Sequence, residues 1–128
     1  MRALLDTHVL LWLRAGDERL PVKWREVILG RADELFLSTA SVTEISIKVV
    51  RGKLSLPEPP TILVPHMVSD LRLQILPITL QHALAVSSLP LHHSDPFDRL
   101  LVAQAKSESL PLISGDERLS SYDLQILW

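Results

Sequence analysis

Three observations predict an α/β fold built on a central, mainly parallel sheet of four to five strands. The apolar runs at Leu4 and Leu5, Leu35 to Ser38 and Leu110 to Ser114 are short and lack polar alternation, as in strands buried on both faces. Longer segments between them carry apolar residues at helical spacing. Strands and helices alternate along the chain, which is the order of a parallel sheet wrapped by crossover helices.

The first strand lies within Met1 to His8 and closes on a single carboxylate, Asp6. A helix follows, with Val9, Trp12 and Leu13 on one side and Gly16 as its stop. Either Asp6 or Thr7 has the residue type that caps it. Pro21 opens a second helix through PVKWREVILGRAD, whose apolar positions are carried by Val22, Trp24, Val27, Ile28 and Leu35. ELFLST gives the second strand. The next helix, ASVTEISIKVVRGKL, turns Val42, Ile45 and Val49 to one face and ends at Gly52. Ser41 and Glu44 have capping-box spacing, and Glu44 with Lys48 has the favourable ion-pair order.

Four prolines between Leu54 and Pro65 predict an extended connection, followed by a helix over His66 to Leu71 and a third strand over Leu73 to Ile78. Gln81 to Leu89 reads as a helix with Leu84 and Leu89 inward, broken by Pro90. The best-signalled helix is SDPFDRLLVAQAKSES. There Asp95 is the cap, Pro96 the first helical residue, and Asp98 falls in the first turn, where the helix dipole favours a carboxylate. Its stretch Leu100 to Ala105 is apolar on several sides, so the helix start is held rigidly. A fourth strand runs from Leu110 to Ser114, just before Asp116, and LQILW forms a fifth strand at the sheet edge.

With 128 residues and 47% hydrophobic content the chain supports one domain, residues 1–128, with a sizeable core. A net charge of -2 excludes a bulk basic footprint, so contact with nucleic acid needs a local patch or a bound cation. The absence of cysteine excludes disulfides, thiolate metal sites and cysteine nucleophiles. No stretch reaches the roughly 20 apolar residues of a membrane span, and the N-terminal residues lack signal-peptide blocks, so a soluble, cytoplasmic protein is expected.

Asp6, Glu44 and Asp116 fall just past strand ends or in the helices that follow, and Asp98 opens a helix of the same layer. Each has a cap or turn as its structural explanation, yet helix starts after parallel strands converge on one crevice. Carboxylates brought that close repel one another and raise their own pKa values unless a cation compensates. Hard oxygen donors suit Mg²⁺ or Mn²⁺, and a metal-activated water attacking a phosphodiester is the chemistry such a site supports.

In this order, LLDTHVLLW, SVTEISIK, DPFDRLLVAQA and LISGDERL span nearly the full length and resemble the four motifs of PIN-domain proteins. They are most similar to the VapC-type toxin ribonucleases of prokaryotic toxin–antitoxin pairs. The resemblance implies a PIN-like α/β/α sandwich in which Asp6, Glu44, Asp98 and Asp116 match the metal-binding acids. It further implies a Mg²⁺- or Mn²⁺-dependent endoribonuclease that cuts tRNA, rRNA or mRNA, forms a homodimer and is silenced by a cognate antitoxin. Asp95, Ser114 and Arg99 are additional candidates, Ser114 because family members often place a small hydroxyl residue before the last acid.

Lys48 and Arg51 are lesser candidates for a phosphate contact, and Trp12 and Trp24 lie in apolar helical stripes that suit core or interface. His92 and His93, adjacent in a loop, are expected to be solvated. A non-enzymatic Mg²⁺-binding phosphoacceptor is one alternative function, but it needs a lysine just past a late strand, where Gly115, Asp116 and Glu117 stand and Arg118 substitutes poorly. A protein-interaction module with all four acids as caps is the other.

Overall fold

A computed structural model describes residues 1–30 and 34–128. The elements are β1 (Arg2–Leu5), α1 (Thr7–Ala15), α2 (Val22–Leu29), β2 (Glu34–Ser38), α3 (Thr39–Val50), α4 (Pro60–Asp70), β3 (Gln74–Leu76), α5 (Leu80–Ala85), α6 (Pro96–Ser107), β4 (Leu112–Ile113) and β5 (Ile126–Leu127). Short 3₁₀ turns cover Val86–Ser88 and Glu117–Ser121. All five strands pair in parallel, in the order β3-β2-β1-β4-β5. The chain builds outward from β1 to β3 and then returns to add β4 on the other side of β1. Reversal of that kind opens a crevice beyond the carboxyl ends of β1 and β4.

The unalternating strands are explained by two cores. Ala3 and Leu5 of β1, Leu35 and Leu37 of β2 and Ile113 of β4 face Val9, Trp24, Ile28, Ile45 and Val64 of the first helices. Leu4, Phe36 and Leu112 face Leu101, Val102 and Ala105 of α6 together with Leu119 and Tyr122. Each fully buried leucine of these layers contributes about 2 kcal/mol. The result is the expected α/β/α sandwich.

Several local expectations are corrected. Leu35 belongs to β2 and not to the second helix, and the end of that predicted helix, residues 31–33, lies outside the described residues. Helix α3 starts earlier than its capping-box signal, because β2 turns directly into it and Ser38 caps it by accepting from the Ala40 N–H. Instead of capping, Ser41 is buried and accepts from the Thr7 hydroxyl at 2.9 Å. Helix α4 begins at Pro60, where the missing N–H costs nothing, and takes in Pro65 at the cost of one backbone bond. The 54–65 segment is therefore only partly extended. Leu84 is exposed and His82 is the buried residue of α5. A polar ring is tolerated there because its Nδ1 accepts from the Thr79 N–H and its Nε2 lies 3.0 Å from Glu108. As expected, β5 is an edge strand, with β3 at the other edge, and Gly52 follows α3 with φ +70°.

Candidate active site

Asp6, the residue after β1, caps α1 by accepting from the Thr7 N–H at 2.7 Å, and its own N–H continues the sheet ladder to Ile113. The cap explanation of Asp6 is thus correct and does not remove it from the crevice. Its second carboxylate oxygen accepts from Ser114 Oγ at 2.7 Å, and Ser114 Oγ accepts in turn from the Asp116 N–H. One hydroxyl therefore ties the end of β1 to the loop after β4. His8 adds a second tie, its Nε2 accepting from the Gly115 N–H at 3.1 Å, which leaves the ring proton on Nδ1, 3.4 Å from Asp6.

Glu44 projects from the second turn of α3 and is 6% exposed. One of its oxygens takes the Lys48 ammonium at 2.7 Å, while Oε1 is buried without a hydrogen-bond partner among the described residues. At the start of α6, Asp95 Oδ1 accepts from the Phe97 and Asp98 N–H groups and caps the helix. Asp98, three residues on, sends its carboxylate into the crevice. Asp6, Glu44, Asp95, Asp98 and Asp116 line one cavity of about 200 Å³, with Lys48 and Arg118 also on its walls.

Arg99 does not reach that cavity. Its guanidinium donates to the carbonyls of Val86, Leu89, Pro90 and His93 and to the Tyr122 hydroxyl, clamping the loop ahead of α6. Arg51 lines a separate apolar surface on α3. The loop held by Arg99 presents His93, which is buried and not solvated as expected. Its Nδ1 accepts from the Asp95 N–H, so Nε2 carries the proton. That nitrogen stands 3.0 Å from Asp98 Oδ2 and 3.5 Å from Asp116 Oδ2. That N–H makes no hydrogen bond among the described residues, and its electrostatic pull is felt at Asp116, which it helps to lower. The missed signal was the two-residue step from His93 to Asp95, which lets the ring take the amide of the cap residue.

The electrostatics record the convergence. Burial, followed by repulsion from Asp6, Asp95, Glu44 and Asp116, pushes the Asp98 carboxyl up to about 7. Burial also raises Asp6, against the opposing pull of His8 and of its hydrogen bonds to Ser114 and Thr7. Asp116 goes down instead, because Arg118 binds both of its oxygens. The oxygens of Asp98 and Asp116 and the Nε2 of His93 lie within 4.8 Å of one another. Asp6 and Glu44 stand around the same cavity, outside that tight group. Hard oxygen donors, a buried unpartnered Glu44 oxygen and an uncompensated Asp98 together fit a small divalent cation.

A pH dependence follows for the metal-free protein. Because folding raises the Asp98 pKa, the stabilisation due to its proton is complete below about pH 4 and is lost as the pH climbs to about 7. Asp98→Asn should therefore be more stable than the parent in chelator near neutral pH. Thermal melts at about pH 5 and about pH 7.5 check this: the gain should be larger at the higher pH, and a gain independent of pH would contradict it.

The PIN domain family profile matches residues 3–124. Ribonuclease VapC22 of Mycobacterium tuberculosis is 31% identical over 121 residues, 93% of this chain and 90% of that protein. Among solved structures, VapBC2 from Rickettsia felis bound to a DNA fragment from its promoter superposes with a TM-score of 0.74 at 15% identity, covering 99% of this chain and 98% of the other. DNA-bound VapBC from Salmonella typhimurium gives 0.70 at 18% identity, with 99% and 97% covered. FitAcB from Neisseria gonorrhoeae gives 0.67 at 21%, with 100% and 97% covered. These three likenesses bear on the fold, which is the sandwich described above. On the profile match and the VapC22 identity, the chain belongs to the PIN-domain family, among its VapC-type members.

Proposed function

We propose that this protein, acting as one domain, is a divalent-metal-dependent endoribonuclease and the toxin of a cytoplasmic toxin–antitoxin pair. The observation that carries this reading is the cavity in which acids from four separate parts of the chain meet, where burial and then the neighbouring acids push the Asp98 carboxyl up to about 7. Asp6, Glu44, Asp98 and Asp116 are the residues that would hold Mg²⁺ or Mn²⁺. When bound, such a cation supplies charge compensation for the phosphoryl oxygens and lowers the pKa of its water.

The chain's own residues orient the rest. Ser114 and the α1 start fix Asp6, Arg118 holds Asp116, and Lys48 keeps one Glu44 oxygen turned aside while the other is left free. His93 stands with its Nε2 3.0 Å from Asp98 and 3.5 Å from Asp116 and draws the Asp116 pKa down. The Arg118 guanidinium is exposed at the rim, a suitable contact for the RNA backbone of a tRNA, rRNA or mRNA substrate. An antitoxin protein as partner is supported by the VapBC assemblies with the same fold. Apolar cavities on the α3 and α4 surfaces, with Val42, Ile47, Val64 and Ile75 among their walls, provide area for it or for a homodimer contact.

The purified protein should cleave RNA with Mg²⁺ or Mn²⁺ and not in chelator, and a small protein encoded beside it should co-purify and silence the cleavage. Metal-independent cleavage, or none with either ion, would reject this function.

A further inference from the structure

Beside the acid cavity lies a second hollow of about 320 Å³, walled by Trp128, Ile126, Gly115, Ser120 and Glu117, and it shares Asp116 with the first. Trp128 is 42% exposed, so part of its indole is open to a ligand. One side of its indole rests on Gly115, so closely that a Cβ there would come within 2.7 Å of the ring. Its other ring neighbours are Trp12 at 6.0 Å and His8 at 6.3 Å between centroids, with His8 and Trp12 at 4.5 Å. Arg19 lies over Trp12 at 4.8 Å while paired with Asp17, and the exposed Arg118 is paired with Asp116.

An aromatic shelf is therefore built into the wall of the acid site. His8 belongs to both, since it lines the acid cavity, faces Asp6 and accepts the Gly115 amide. We propose that this shelf binds an unpaired nucleobase of the substrate RNA, stacked on Trp128, next to the nucleotide whose phosphate enters the acid cavity. Stacking requires a base already out of a duplex, so the shelf selects single-stranded or loop RNA. The adjoining acid cavity, which the proposed function gives to a phosphodiester, favours a nucleotide on this shelf over a segment of protein.

The inference rests on the ribonuclease reading, and one experiment separates the two. Fluorescence anisotropy compares a labelled single-stranded RNA with an abasic strand of equal length, using Asp98→Asn protein to suppress cleavage. The RNA should bind about fivefold or more tightly than the abasic strand, the range expected for one stacked base. Adding Trp128→Ala should erase that gap while abasic binding stays the same, and Trp128→Phe should keep part of it. An equal loss for both strands in Trp128→Ala would mean that the indole only packs the Gly115 turn, which overturns the inference. So would an unchanged gap, including the case in which Trp128→Ala instead loses the antitoxin. If neither strand binds although the parent protein cleaves RNA, the inference alone is overturned; if the parent also fails to cleave, the ribonuclease reading is overturned with it.

Discussion

Asp98→Asn is expected to fold normally and to lose metal-dependent RNA cleavage by about a hundredfold or more, whereas Asp95→Asn should retain much of it. The two acids stand at the same helix start, and hydrogen bonding separates them. One Asp95 oxygen accepts two backbone N–H groups of the first turn of α6, a capping role that asparagine fills about equally well. Among the described residues no cap bond involves the Asp98 carboxylate, which is half-buried, feels Asp6, Glu44 and Asp116, and faces His93. Its amide replacement is a poor ligand for a hard cation, and removing one charge-stabilising group from a nuclease site costs about two to three orders of magnitude. Cleavage of RNA by the two purified variants, each with its melting temperature checked, decides the assignment. An active Asp98→Asn beside an inactive Asp95→Asn would reverse it.

Mg²⁺ or Mn²⁺ should raise the melting temperature of the parent protein by about 10 °C at one hundred times the dissociation constant, equivalent to about 2.7 kcal/mol. The gain should vanish in Asp6→Asn. Asparagine keeps the helix cap with its one oxygen and turns its amide NH2 to Ser114 Oγ, a hydroxyl that can accept it, so the variant should fold as the parent does without metal. Removing a buried carboxylate whose pKa is already raised by burial points the same way. Cation binding must also expel the proton that Asp98 holds below about pH 7, so the thermal shift should shrink as the solution is acidified. Equal shifts in parent and Asp6→Asn would remove Asp6 from the metal site.

Much of the fold was legible because it depends on local signals. Apolar runs without alternation marked strands later found between two cores, and the Asp95-Pro96 start of α6 follows from capping and proline chemistry alone. Where signals competed, the sequence misled. Ser41 and Glu44 resemble a capping box, but the direct turn from β2 moved the cap to Ser38 and left Glu44 deeper in the helix, with one oxygen toward Lys48. Proline suggested an extended 54–65 segment, although Pro60 occupies the one helical position that tolerates it at no cost.

By itself, then, the sequence determined the parallel sheet, the ordered set of acids and their family resemblance, since each is written in residue type and spacing. Only the tertiary structure decided which groups share a cavity and how each is charged. Arg99 was turned away to clamp a loop, while His93, expected in solvent, was brought against Asp98 and Asp116. Trp128 was laid on Gly115 beside an acid more than ten residues back in the chain. Burial and through-space repulsion depend on distances between segments far apart in sequence, and those distances exist only once the sheet has reversed its direction of growth at β1.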